Sequence, residues 1–292
     1  QIENLFGKKY KENLNKISVQ INKYVWSHYR HPLDVAGCVA SLCYWHNESL
    51  NILTHALPVL FIFCSIPWLL PWSAISVPLL PWTHMAACLA PWIGSTLYHL
   101  FMCHQSGKGA YLALLKVDLL GIWFTQTLGA LVIICAAIHC FSPETKSLLL
   151  LLYLGVCLLC LYQAMTVSTV WGRRYVTVHM YTLCSLTMLQ FAFTAPFLIR
   201  VLCLCVRLSP WGGGAPLTTR HIILQDMLAI TGGYIGAVNI PEKWFPGKCD
   251  TLCNSHHIMH VLVVAAVYHM HKAAEMDLVW MSRDDMCQEI VW

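Results

Sequence analysis

Charge is what this chain has least of. Only 11% of its 292 residues are Asp, Glu, Lys or Arg, while 58% are hydrophobic and mean hydropathy is +0.58. A soluble domain carries about 25% charged residues. So few charges cannot clothe a water-facing surface of this size, which excludes an ordinary soluble enzyme and points to a polytopic membrane protein. The net charge of +4 is too small to imply nucleic acid as a partner. The cysteine spacing of a secreted disulfide framework is also missing. The 15 cysteines lie mostly inside apolar runs and read mostly as small hydrophobes. No basic–apolar–small cleavage pattern precedes residue 50, so the first span is expected to act as its own insertion signal. No internal repeat is visible.

What is present is a series of apolar runs between short polar turns. Residues 1–24 are polar and lysine-bearing, and "YVWSHYRHPL" (24–33) makes an aromatic, basic approach to a membrane surface. A short amphipathic helix is expected over 34–48. Seven spans follow near 50–70, 81–102, 112–137, 147–167, 176–199, 221–240 and 254–272, each long enough for a hydrocarbon core of about 30 Å. The expected fold is an all-α membrane protein, a seven-transmembrane-helix bundle. Its organisation is an N-terminal cytoplasmic segment (1–48), a spanning domain (49–272) and a C-terminal tail (273–292). The sixth span is interrupted by Asp226, Gly232, Gly233 and Gly236.

Basic residues orient the bundle. With the N-terminus and the even-numbered connections on one side, eleven Lys and Arg fall there, against six on the other. Arg200, Arg207 and Arg220 are among the six. The count predicts a cytoplasmic N-terminus and an outward C-terminus, opposite to the G-protein-coupled receptor arrangement. On the cytoplasmic side Asn47, although in a glycosylation sequon, would never meet the transferase.

This topology brings distant polar residues to one level. His256 and His260 open the seventh span, His99 closes the second, and Asp118 lies early in the third. Spaced four apart, His256 and His260 share a helix face, and with His99 from a facing helix they could hold Zn²⁺ with a fourth position left for water. Asp118 is then placed to orient that water and move its proton, and Ser95, a turn before His99, to donate a hydrogen bond. An HxxxH pair alone is a weak signal in a chain with 15 histidines, and it is the shared level that gives it weight. A rival metal site is the loop "CDTLC" (249–253) with His256 and His257. His257 otherwise reads as solvent-facing or as support for the ligands, while His269 and His271 lie too far along the span. Glu48, Asn51, Thr54 and His55 form one helix face and read as a structural cap; Asp226 reads as a partner for Arg220 or a cavity-lining group.

Four stretches in order, "ESLNILTH" (48–55), "STLYH" (95–99), "VDLLG" (117–121) and "NSHHIMHVLVVAAVYH" (254–269), resemble the progestin and adipoQ receptor family over nearly the whole chain. The resemblance implies seven helices with an inward N-terminus and a three-histidine zinc site near the cytoplasmic face. It assigns His99 (with Ser95), His256 and His260 (with Ser255) to the metal, and Asp118 (with Gly121) to its water. Adiponectin receptors in this family are similar to ceramidases, and other members are called membrane progestin receptors. The resemblance therefore implies a zinc-dependent hydrolase of a ceramide-like lipid amide, in the Golgi membrane or the plasma membrane. The alternatives are a steroid or lipid receptor with structural zinc, and a non-catalytic scaffold. The short, proline- and tryptophan-rich first outer connection offers little surface for a protein hormone.

Overall fold

Helices begin where an apolar run meets a group able to cap it. The computed structural model describes residues 22–173, 195–283 and 287, with backbone alone over 166–173. Asp34 accepts from the Gly37 amide (2.7 Å) and opens α1, Val35–Ala40. Then come α2 (Ser49–Leu69), α3 (Leu80–Phe101), α4 (Lys108–Ala137), α5 (Pro143–Arg173), helical backbone over 195–207 (α6), α7 (Thr218–Val238) and α8 (Ser255–Met281). Asn254 caps α8 through a reciprocal box with His257, and Asn239, at φ 55°, closes α7 in the left-handed conformation. Among the described residues there is no strand, only an isolated bridge between Leu33 and His104.

Most boundaries sit within a turn or so of expectation. α5 runs on to Arg173, past its expected end at 167, and α6 to residue 207, past 199, and three further departures stand out. The expected helix over 34–48 is only six residues long, followed by a 3₁₀ turn at Ser41–Cys43, because "HNES" folds as its own cap: the His46 amide donates to Ser49 Oγ and the Glu48 amide to His46 Nδ1. α8 runs on to Met281, past the expected end at 272. The expected span 176–199 lies outside the described residues as far as 194.

Among the described residues, four helices are long and apolar enough to cross a membrane: α2, α4, α5 over Pro143–Met165, and α7. Leu60, Phe61, Trp68, Leu151 and Leu159 are exposed on α2 and α5, an apolar surface suited to lipid. α3 and α8 carry seven histidines between them and turn this polar load inward. Inside, small residues let backbones approach, which matters where lipid weakens the hydrophobic drive for helix association. Ala87, Ala130, Ala136, Ala273 and Ala274 are fully buried or nearly so. A close backbone approach joins α3 to α4. A Cβ on Gly94 would meet Val117 O at 2.8 Å and Asp118 Cα at 3.2 Å, and one on Gly121 would meet Ala90 O at 2.6 Å. Asp118 is thereby clamped against the helix that bears His99.

Residues 22–33 strap the end of the bundle where α3 finishes and α8 begins. The buried Arg30 guanidinium donates to the carbonyls of His99 (2.5 Å) and Leu100 (2.9 Å) and to Ser41 Oγ, meeting the negative end of α3. Glu242, wholly buried, accepts from Asn22 Nδ2, the Ser255 amide and Ser255 Oγ, and so ties the strap to the start of α8. Ser27 donates to Asp250 from both amide and hydroxyl.

Candidate functional site

Three imidazoles meet at this strapped end. His256 and His260, one turn apart on α8, place their Nε2 atoms 3.2 Å from each other, and His99 Nε2 on α3 lies 3.3 Å from that of His256. His99 and His260 are buried, and His256 is half-buried. The far nitrogen of two rings is pinned. His99 Nδ1 lies 2.8 Å from Glu48 Oε2, which as a carboxylate accepts its proton. Thr54 Oγ1 donates to Leu50 O (2.6 Å) and so accepts from His260 Nδ1 at 3.0 Å. These contacts fix both rings as Nδ1–H tautomers with Nε2 lone pairs turned to a common point.

The donor set fits zinc. Two nitrogens bound at about 2.0–2.1 Å in a tetrahedron are about 3.3–3.4 Å apart, close to the observed 3.2 and 3.3 Å. Asp118, half-buried on α4, has no hydrogen bond or ion pair among the described residues. Its oxygens are not grouped with the three nitrogens, which all lie within 4.8 Å of one another. Ser95 is buried a turn before His99, and no hydrogen bond joins it to His99 or Asp118.

The rival loop site does not assemble. Among the described residues, Cys249 and Cys253 join no group of three candidate ligands. His257 is neither solvent-facing nor turned to the triad: it is buried, and its Nδ1 accepts from the Asn254 amide to close the α8 cap.

The face of Glu48, Asn51, Thr54 and His55 is more than a cap. Asn47 and Asn51 each donate to Glu48 at 2.7 Å, Glu48 holds His99, Thr54 holds His260, and His55 stacks on His260 with ring centroids 3.7 Å apart. Burial alone would raise the Glu48 carboxyl, but the hydrogen bonds from His99 and Asn51 hold it down at about 2. The spacing i, i+3, i+6, i+7 located this face, yet the sequence alone did not show which rings it meets. Asp226 pairs with Arg200 (2.9 Å), not Arg220.

Two cavities adjoin this region. A polar one of about 200 Å³ reaches His99 and His256 past Tyr29, Asn47 and Glu48. An apolar one of about 570 Å³ lies between α2, α3 and α8, lined by Leu57, Phe61, Trp92, Val264 and Tyr268 among others. Trp92 packs on His55 (4.7 Å), which stacks on His260, so one ring stack separates this cavity from the triad.

The family described as "Haemolysin-III related" matches residues 43–271. Progestin and adipoQ receptor family member 4 of Homo sapiens is 36% identical over 263 residues, 90% of each chain, and that of Mus musculus is 35% identical over the same share. Member 3 of Homo sapiens is 23% identical over 274 residues, 88% of this chain and 81% of its own. Matched along most of its length by the family and by these relatives, the chain belongs to the haemolysin III-related family, which includes the progestin and adipoQ receptors.

Proposed function

We propose that this protein is a zinc-dependent hydrolase working within a membrane, with the amide of a ceramide-like lipid as substrate. The observation that carries the reading is the convergence of three Nε2 lone pairs, two of them fixed by Glu48 and Thr54, at the level of a carboxylate on α4 that has no partner of its own. His99, His256 and His260 would hold the ion. When bound, zinc polarises a carbonyl and brings the pKa of water to about 7.

The chain's own residues supply the rest. Asp118 holds the attacking water, takes its proton as the amide carbon is attacked, and hands that proton to the departing amine nitrogen. Gly94 and Gly121 keep the carboxylate at its distance from His99 by holding α3 against α4. Ser95, with no hydrogen bond to His99 or Asp118, keeps its hydroxyl for the substrate. The apolar cavity is within the about 300–1,000 Å³ of small-ligand sites and suits a hydrocarbon chain, each buried CH₂ contributing about 0.8 kcal/mol.

The reading includes seven spans, a cytoplasmic N-terminus and a Golgi location. Two observations favour the orientation. Arg200 and Arg207, which counted against it, are no loop charges but are paired inside the bundle with Asp226 and Asp277. Cys140 and Cys287 form a disulfide at the end remote from the triad, as expected of a lumenal or outer face.

Purified wild type and Asp118→Asn, each assayed for fatty-acid release from ceramide and for bound zinc, test the reading. Expected is a loss of at least about 100-fold in rate with zinc retained; equal rates refute it. The word "receptor" in the relatives' names favours a second reading, a lipid or steroid receptor whose zinc is structural. It predicts saturable steroid binding, no turnover, and a bundle destabilised by chelation.

A further inference from the structure

A second group of metal-ligating side chains lies away from the triad, in the half of the bundle where α3 begins and α8 nears its end. His84 and Cys88, one turn apart on α3, face His271 on α8. His84 Nε2 is 3.1 Å from His271 Nδ1 and 3.5 Å from Cys88 Sγ, and the three ligand atoms all lie within 4.8 Å of one another. His84 is fully buried, Cys88 2% exposed and His271 half-buried.

We infer that His84, Cys88 and His271 form a second metal site, selective for a soft or borderline cation of the Cu⁺ and Zn²⁺ class. Donors bound to one such ion at about 2.0–2.1 Å for nitrogen and about 2.3 Å for sulfur stand about 3.3 Å apart as an N–N pair and about 3.6 Å apart as an N–S pair. The observed separations are close to both. A ligand histidine normally gives its other N–H to a carbonyl, and His271 Nε2 lies 2.9 Å from Leu69 O, which leaves Nδ1 as a lone pair facing His84 and Cys88. Among the described residues His84 Nδ1 is buried without a partner, and the hydrogen-bonding contacts of its ring are those with this cluster. A route in exists, because Cys88 and His271 both line the 570 Å³ cavity that also reaches Lys272 and Glu275.

The donor set distinguishes this site from the triad. A sulfur ligand selects against hard cations such as Mg²⁺ and Ca²⁺. Two neutral imidazoles and one thiolate bring a monovalent ion to zero net charge in apolar surroundings, which makes Cu⁺ the first probe. Binding releases the Cys88 thiol proton, so uptake strengthens as pH rises.

The test uses the full-length chain in micelles, stripped with a chelator and reloaded with Zn²⁺ or with Cu⁺ kept reduced. Elemental analysis compares wild type with Cys88→Ala/His271→Gln, and each with the same pair of substitutions in a His256→Ala/His260→Ala background. Expected is a loss of one bound ion per chain on removing Cys88 and His271, in both backgrounds. A thiolate-to-copper absorption band, which an all-nitrogen triad cannot give, is expected in wild type and absent in Cys88→Ala. This second readout needs no doubly substituted chain to fold. Ion content unchanged by Cys88→Ala/His271→Gln, or no thiolate band in wild type, overturns the inference and leaves a hydrogen-bonded histidine pair beside a neutral thiol.

Discussion

At one end of the bundle, Asp277 has no exposed surface and leaves no obvious hydrogen-bonding capacity unused. It receives both Arg207 nitrogens (2.6 and 2.9 Å), the Ala215 amide and the Thr218 hydroxyl. At the other end, His99 and His260 are almost as buried, yet each is satisfied on one nitrogen only, the second being aimed with His256 at a shared point. Both regions bury polar groups at comparable depth in protein. The difference lies in whether the valences close on one another. A closed network joins helices and leaves nothing for a ligand, whereas an open one, held in place by partners behind it, is suited to binding a cation.

The contrast can be broken most severely at the closed end. Arg207→Met strands a buried carboxylate and is expected to cost about 3–5 kcal/mol in denaturant unfolding in micelles, with zinc content unchanged. Adding Asp277→Leu should recover most of that loss. If Arg207→Met instead empties the metal site, the two ends are not independent. Next comes Gly94→Ala, whose methyl must push α4 and Asp118 away from α3. About 100-fold lower turnover with zinc still bound is expected, read by lipid hydrolysis and elemental analysis together. Glu48→Gln keeps the shape but removes the charge behind His99, and chelator competition should show zinc held about 10–100-fold more weakly, with little change in unfolding. Thr54→Val, deleting one neutral hydrogen bond to His260, should weaken zinc by about 0.5–1.5 kcal/mol in the same assay.

Much of this was legible in the residues themselves. Apolar runs and Pro/Gly punctuation located the helices, since length and hydropathy are local properties. The triad was legible because antiparallel helices convert distant positions into a common level, so HxxxH at the start of one span meets a histidine at the end of another. The partners behind it were not, because Glu48 and Thr54 on a helix face look alike whether they cap an end or hold an imidazole. Arg200 and Arg207 were counted as loop charges because their carboxylate partners lie 26 and 70 residues away. Cysteine misleads in the same way: in an apolar run, Cys88 and Cys140 both read as small hydrophobes, although one touches a histidine and the other is disulfide-bonded.

The reciprocal fit of Gly94 and Gly121 makes α3 and α4 behave as one plank, with His99 and Asp118 nailed to the same board. His256 and His260 belong to another timber, α8. An ion gripped by all three rings would act as a clasp between the two. On the proposed reading α8 would stay latched to the plank while the ion is held, and the spacing of carboxylate and first imidazole would be set by the plank alone.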